Sequence, residues 1–224
     1  MIDFHSAGYG YAGGRPLLTD IGLSLAPGSF HFLTGPSGAG KTTLLKLCYG
    51  ELVPTEGSVS LFGAALAGMD RDAVARARRR IGIVHQDCQF LDHLPVAENV
   101  VLPLTVAGQP VPEQDLADLL AWVGLSDRAG ALPPSLSGGE RQRAALARAV
   151  ITAPDVILAD EPTGNVDWEM SLRLLGLLVE LNRMGKAVLI ATHDMNLIRT
   201  AKGQVAARVL RIRDRQVQAA GAEL

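Results

Sequence analysis

A glycine-rich stretch in the first quarter of the chain has the residue types and spacing that hold a row of phosphates. Gly35, Gly40, Lys41 and Thr42 fit the pattern G-x-x-x-x-G-K-[ST]. Glycines let successive backbone N–H groups converge on phosphate oxygens, and the lysine adds a positive charge. The alternative is a glycine-rich turn that only caps a helix. The predicted phosphate loop comprises Gly35, Pro36, Ser37, Gly38, Ala39, Gly40, Lys41, Thr42 and Thr43.

Three side chains of the phosphate loop have separate expected roles. Lys41 would reach the β- and γ-phosphates of a bound nucleotide, Thr42 would offer its hydroxyl to Mg²⁺, and Thr43 would contact the α-phosphate. A nucleoside triphosphate with Mg²⁺ is therefore the expected ligand.

Polar residues also follow three apolar segments further along the chain: Gln86, the pair Asp160 and Glu161, and His193. Open α/β sheets bind ligands at the carboxyl ends of their strands, so we expect these residues at one edge. Asp160 would orient Mg²⁺ or its water, and Glu161 would take a proton from an attacking water. Alternatively, both carboxylates cap the turn at Pro162. His193 would contact the γ-phosphate, although a lone histidine is usually structural.

The motif LSGGE opens a helix that is rich in alanine and arginine. Ser137 and Glu140 fit an S-x-x-E capping box. Capping does not explain Gly138 and Gly139, which weaken a helix by roughly 1 kcal/mol each. We therefore expect a phosphate to approach this backbone, where free N–H groups and the helix dipole favour an anion.

Strands and helices must alternate to bring these residues together. The apolar segment 29–33 predicts a strand before the phosphate loop, and Leu44, Leu45 and Leu47 predict a helix after it. Segment 208–217 predicts an edge hairpin. Further strands are predicted at 2–4, 21–25, 58–62, 81–85, 156–159 and 187–191.

The middle of the chain has a different pattern. Segments 99–104 and 116–123 are helical in periodicity, and prolines interrupt them. We interpret 87–154 as a helical insertion between two parts of one sheet. The prediction is a single α/β domain, with a core at about 1–86 and 155–224 and a helical subdomain at about 87–154.

Composition narrows the class of protein. Hydrophobic residues make up 48% of the 224 residues, enough for a sizeable core, while aromatics are only 4%, so that core must be mainly aliphatic. A net charge of −2 gives no electrostatic case for binding nucleic acid. The basic run at Arg76 and 78–80 is interpreted as a solvated helix face, with a lipid or partner contact as the alternative.

The cysteines and the apolar segments bear on where in the cell the protein works. Cys48 and Cys88 lack metal-ligand spacing, so a reducing cytosol and two small core thiols are expected. The start of the chain lacks the pattern of a secretory signal, and no window of 18 uncharged apolar residues occurs. A role at a membrane would therefore need a partner.

The phosphate loop, LSGGE, LADE and a late histidine occur in one order, and with them the chain resembles the ATP-binding cassette (ABC) ATPases along its whole length. LSGGE distinguishes this family from other P-loop proteins. The resemblance implies a RecA-like parallel-sheet core, an antiparallel β subdomain, an inserted α-helical subdomain and hydrolysis of ATP.

The resemblance also assigns roles to individual residues. The family commonly has an aromatic residue just before the Q-loop, and His85 at that position is a small departure from the family pattern. The implied roles are the Walker A loop for the phosphate loop, an adenine-stacking aromatic for Tyr11, the Q-loop glutamine and a Mg²⁺ contact for Gln86, the signature for Ser137 to Glu140, the Walker B aspartate for Asp160, the catalytic base for Glu161, the D-loop residue for Asp167 and the switch histidine for His193. Without the family, Tyr11 would fit a half-buried sheet position equally well.

Two partners follow from the resemblance. The signature would meet the γ-phosphate held by a second copy, which implies an ATP-dependent homodimer. YAGGR, LADEPTGN and ATHDMNLI resemble most closely the bacterial cell-division branch of the family. That branch implies an integral membrane subunit contacted through segment 86–100, a place on the cytoplasmic face of the bacterial inner membrane, and control of cell-wall hydrolysis. The apolar residues Phe90, Leu91, Leu94 and Val96 would form that contact, and an ordinary buried connector is the alternative.

Other functions stay open at this point. LADEPTGN is shared with lipoprotein-releasing and macrolide-export ATPases. A P-loop kinase would lack LSGGE, and soluble ABC proteins that act on DNA or ribosomes usually carry tandem cassettes or a basic face. A nucleotide-gated scaffold would use the same residues, so they do not separate it from an ATPase.

Overall fold

The computed structural model describes residues 1–111, 113–164 and 166–220. Ten strands and seven α-helices are assigned within these residues. The strands are β1 (Ile2–Tyr9), β2 (Leu18–Leu25), β3 (Phe30–Thr34), β4 (Glu56–Leu61), β5 (Ala64–Ala65), β6 (Ile81–Val84), β7 (Val156–Asp160), β8 (Ala187–Ala191), β9 (Ala207–Arg213) and β10 (Gln216–Ala219). The helices are α1 (Lys41–Cys48), α2 (Arg71–Arg78), α3 (Val96–Val106), α4 (Glu113–Trp122), α5 (Gly138–Val150), α6 (Trp168–Arg183) and α7 (Met195–Lys202).

A six-stranded sheet in the order β10-β9-β3-β8-β7-β6 forms the centre of the molecule. Its strands from β9 to β6 are parallel, and β10 closes one edge as an antiparallel hairpin partner of β9. Every residue of β3, β7 and β8 is buried, as expected for parallel strands covered on both faces. The carboxyl ends of β3, β6, β7 and β8 therefore meet at one edge, which confirms the predicted placement of the strand ends.

A second, four-stranded antiparallel sheet has the order β2-β1-β4-β5. Its apolar face shares one aliphatic core with the loop helix α1, where Ile2, Leu44 and Leu61 are almost wholly buried. The predicted short strands 2–4 and 21–25 are therefore the ends of longer strands. This sheet holds α1, and so the phosphate loop, from one side.

Helices α3, α4 and α5 lie between β6 and β7 and pack around their own core, which includes Val96, Val100, Leu120 and Leu136. The α/β fold class with an inserted helical region is thus confirmed. The exact division of the chain into core and helical subdomain stays a prediction, and its residues 221–224 lie outside the described ones. Among the described residues, no helix is long and apolar enough to span a membrane.

Several local predictions have a clear outcome. Cys48 and Cys88 are both buried free thiols, as expected. Arg76 and Arg79 are exposed on or next to α2, which confirms a solvated face. Arg78 does not fit the prediction of a merely solvated face. Its guanidinium donates to two backbone carbonyls and ties α2 to the end of α1.

Candidate functional site

The phosphate loop connects the buried strand β3 to helix α1, the order that the sequence predicted. Gly40 occupies the N-cap of α1 with φ of 104°, and a Cβ on it would lie 3.0 Å from a methyl group of Leu18. Only glycine meets both conditions without strain. No side chain of the described residues caps this helix end, so the first N–H groups of α1 remain available to an anion.

Lys41 is folded back across the loop. Its Nζ donates to the carbonyl oxygens of Gly35 at 2.9 Å and Pro36 at 3.4 Å. The same Nζ lies 3.9 Å from Oε1 of Glu161, and both side chains are only 12% exposed. The lysine is therefore positioned over the space in front of the loop, paired with the carboxylate that follows β7, two strands away from β3 in the sheet.

Asp160 ends β7 and is 8% exposed. Burial raises the pKa of this carboxyl group, the hydroxyl of Thr42 lowers it by hydrogen bonding, and the charge of Glu161 raises it further. A buried carboxylate bonded to a hydroxyl is a donor set that suits Mg²⁺. The described residues hold no group of three His, Cys, Asp or Glu side chains that could bind a metal by themselves.

Glu161 has an unusual backbone. Its φ is 44°, a left-handed conformation that is rare for a residue with a side chain and is often found at functional sites. Its carboxylate bonds to Nδ1 of His193 at 2.9 Å across 32 positions of sequence. The carboxylate thus faces the lysine and the histidine rather than the following turn, so the turn-capping alternative is wrong for Glu161.

A cavity of about 590 Å³ unites these groups. Its walls include most of the predicted phosphate site: Gly35, Pro36, Ser37, Gly38, Gly40, Lys41, Thr42, Thr43, Gln86, Asp160, Glu161 and His193. Gln86 is exposed and enters from the end of β6, as the sequence predicted. Ala39 instead lines an adjoining cavity of about 680 Å³ together with arginines of the β9–β10 hairpin.

Tyr11 lies near the same loop but outside the cavity wall. It follows the end of β1, is 50% exposed, and packs edge-on against Tyr9 at 5.0 Å. Its hydroxyl group lies 3.3 Å from Oγ1 of Thr43. The tyrosine is therefore half-exposed beside the phosphate loop, and its stacking on adenine stays a prediction.

The signature segment and Asp167 also lie outside the lining of their own chain's cavity. Ser137 and Glu140 form the predicted capping box, with bonds of 2.8 and 3.3 Å. A Cβ on Gly139 would lie 3.0 Å from the side chain of Met170, so close packing against α6 is a second reason for that glycine. Asp167 caps α6 through a 2.8 Å bond to the N–H of Met170.

Sequence reasoning missed two residues on α5. Gln142 and Arg148 both hydrogen-bond to backbone carbonyls in the segment that begins at Gln86. The signal was present in AALARAV, where one arginine is surrounded by alanines on a helix whose neighbours at 144–147 are all buried. A charged residue in such a setting needs a partner.

Three features together define an ABC-type ATPase. They are a phosphate loop between the strand β3 and the helix α1, two carboxylates at the carboxyl end of β7, and a glycine pair in the capped first turn of α5. The family model described as "ABC transporter" matches residues 18–164, and the chain belongs to this family. Hydrolysis of ATP is the general reaction of the family, and the chain is an ATP-binding ATPase of this kind.

The relatives identify the branch. The chain is 44% identical over 201 residues to the cell division ATP-binding protein FtsE of Haemophilus influenzae, covering 88% of this chain and 92% of that one. It is 39% identical to FtsE of Bacillus subtilis, covering 92% of each. A solved dimer of the ATP-binding cassette MJ0796 bound to ADP and Pi superposes with a TM-score of 0.89 at 30% identity, over the whole of both chains. The chain is thus an FtsE-like ABC ATPase.

Proposed function

We propose that this chain is the ATP-hydrolysing subunit of an FtsE-like complex that drives a membrane partner during cell division. The observation that carries the proposal is the position of Glu161, whose carboxylate enters the phosphate cavity beside Lys41 and His193. A carboxylate in hydrogen-bonding reach of a histidine at the edge of a nucleotide cavity is suited to take a proton from water.

Each side chain of the cavity has a task in this reaction. Lys41 exchanges its loop carbonyls for the β- and γ-phosphates, and the free N–H groups of α1 hold the phosphate oxygens. Glu161 accepts the proton of the attacking water, and His193 orients that carboxylate and contacts the γ-phosphate. Thr42, Asp160 and Gln86 would hold Mg²⁺, which supplies positive charge to the phosphates.

The second copy completes the site. Ser137, Gly138 and Gly139 do not line the cavity of their own chain, although the glycine pair and the dipole of α5 suit a γ-phosphate. A head-to-tail pair of chains would bring each signature to the cavity of the other, with Asp167 beside it. Two such contacts close with two-fold symmetry, so the active form is an ATP-bound homodimer.

Sedimentation tests the homodimer. Glu161→Gln with ATP should accumulate dimer, because the trapped nucleotide is not hydrolysed, and Ser137→Arg in the same background should prevent it. Gln204→Arg is the matched control, since Gln204 is exposed between α7 and β9, at the opposite, amino end of the sheet. Dimer formation by the Ser137 variant equal to that of its parent would refute the trans site.

The membrane partner would dock beside the segment that follows Gln86. A groove of about 500 Å³ lies there, lined by Gln89, by β6 and by Leu102, Pro103 and Val106 of α3. Val106 is 78% exposed. Of the four apolar residues predicted for this contact, Leu91 is exposed, Phe90 and Leu94 are half-buried, and Val96 is buried and so unable to form it.

This geometry supports an FtsX-like membrane subunit that inserts a short helix into the groove and receives the conformational change. The chain would then work at the cytoplasmic face of the bacterial inner membrane, and its output would be control of cell-wall hydrolysis. Co-purification with the membrane partner tests the contact.

Val106→Glu and Leu91→Glu should each reduce recovery of the partner while ATP binding persists. Met184→Glu is the control, because Met184 is 74% exposed on the loop before β8. Equal recovery with all three variants would move the contact elsewhere, and a wild-type protein without any membrane partner would favour a soluble ABC function.

A further inference from the structure

The segment that follows Gln86 has a backbone conformation that is rare for residues with side chains. Cys88 and Gln89 have φ of 56° and 42°, so two successive residues with side chains are left-handed. Residues other than glycine seldom adopt this conformation unless surrounding contacts impose it. Local hydrogen bonds from the N–H of Cys88 to the carbonyl of His85 and from the N–H of Gln89 to that of Asp87 support it, and helix α5 supplies further contacts.

Arg148 supplies the main contacts. Its guanidinium donates one hydrogen bond to the carbonyl oxygen of Cys88 and another, of 2.8 Å, to that of Gln89. The same guanidinium lies over the ring of Phe90, 4.8 Å from its centre. Arg148 is half-buried, and no carboxylate of the described residues forms an ion pair with it. Its guanidinium therefore takes its carbonyl hydrogen-bond partners from this segment.

Gln142 adds a contact two turns earlier on the same helix. It is 2% exposed, and its Nε2 donates to the carbonyl oxygen of Gln86 at 3.4 Å. Helix α5 thus holds the backbone at residues 86, 88 and 89 and packs on residue 90. Gln86 is the one side chain of this segment that lines the phosphate cavity.

We infer that Arg148 is a positioning residue for ATP hydrolysis, which holds the backbone after Gln86 so that the glutamine side chain faces the phosphate cavity. This inference rests on the proposed role of Gln86. Ser137 is also the N-cap of helix α5. One rigid helix therefore joins the surface offered to the second copy with the glutamine that serves the chain's own nucleotide.

Steady-state hydrolysis by three variants tests the inference. Arg148→Met removes the charge and the donors but keeps a long apolar side chain, and kcat should fall about tenfold with KM for ATP changed less than about twofold, because the phosphate loop is untouched. Arg148→Lys keeps a cation that reaches a carbonyl, and kcat should recover to within about threefold of wild type. If the methionine variant does not fold, Arg148→Lys tests the inference by itself. Its kcat should then lie below the wild-type value, by no more than about threefold, at an unchanged KM.

Arg141→Met is the matched control. Arg141 lies on the same face of α5, and its guanidinium is also near the ring of Phe90, at 5.5 Å, but it donates to the carbonyl of Pro133 and not to the Gln86 segment. Both kinetic constants should stay at their wild-type values. An equal loss of kcat in this variant would show that the packing on Phe90 matters and would overturn the positioning role.

A double-mutant cycle with Gln86→Ala separates positioning from a general structural effect. If Arg148 acts through Gln86, adding Arg148→Met to Gln86→Ala should cause no further loss of kcat. A further tenfold loss, or wild-type kcat for Arg148→Met alone, would overturn the inference. If Gln86→Ala itself turns over like wild type, the proposed role of Gln86 fails, and the inference fails with it.

Discussion

Replacement of Glu161 by glutamine should have two opposite effects on the ATPase. The amide has nearly the same shape as the carboxylate but cannot accept the proton of the attacking water. General-base catalysis contributes about 10²- to 10⁴-fold to a rate, so kcat should fall at least about 100-fold. ATP binding, in contrast, should become tighter.

The tighter binding follows from Lys41. Its Nζ lies 3.9 Å from the Glu161 carboxylate in a site where both side chains are 12% exposed. At an effective dielectric constant of 20 the attraction is roughly 4 kcal/mol, which an incoming phosphate must replace. The net value of such pairs, after desolvation, is about 1 kcal/mol, so the glutamine variant should bind ATP about fivefold more tightly.

Calorimetric titration with ATP and an assay of released phosphate measure the two effects separately. Glu169→Gln is the control, because Glu169 is an exposed carboxylate on α6 that pairs with Arg173 one turn further along the same helix. It should change neither quantity. Ordinary turnover by Glu161→Gln would refute the base, and weaker binding than wild type would refute the restraint on Lys41.

Three further predictions concern stability. Ser137→Ala removes the capping bond to the N–H of Glu140 and should lower the free energy of unfolding by about 1 kcal/mol in urea. Gly40→Ala places a side chain at φ of 104° and should cost more than about 1 kcal/mol, whereas Gly68→Ala, which meets open space, should cost far less in the same assay. Burial and the charge of Arg208 lower the pKa of His31, so the free energy of unfolding should fall as the pH drops from about 6.5 through that lower value. Unfolding of His31→Leu at pH 7.5 and 5.5 should show a smaller loss, and an equal loss would contradict the assignment.

Much of the molecule could be read from local patterns. Apolar runs predicted the central strands, because a strand covered on both faces must be apolar throughout. The phosphate loop and the capping box at Ser137 were also predictable, since a glycine conformation and a helix cap depend on a few adjacent residues. Asp160, Glu161 and His193 could be expected at strand ends, because each comes at the end of an apolar run that predicts a strand.

Only the tertiary structure decided which of these residues touch. The bond between Glu161 and His193 spans 32 positions, and the contact of Arg148 with Cys88 spans 60. Such pairs depend on strand order and on how α5 crosses the sheet, which no local pattern encodes. The same holds for burial: Leu91 and Val96 are equally apolar in sequence, yet Val96 faces the core of the helical insertion and Leu91 faces solvent, because the packing of α3 against α5 selects one side of that segment.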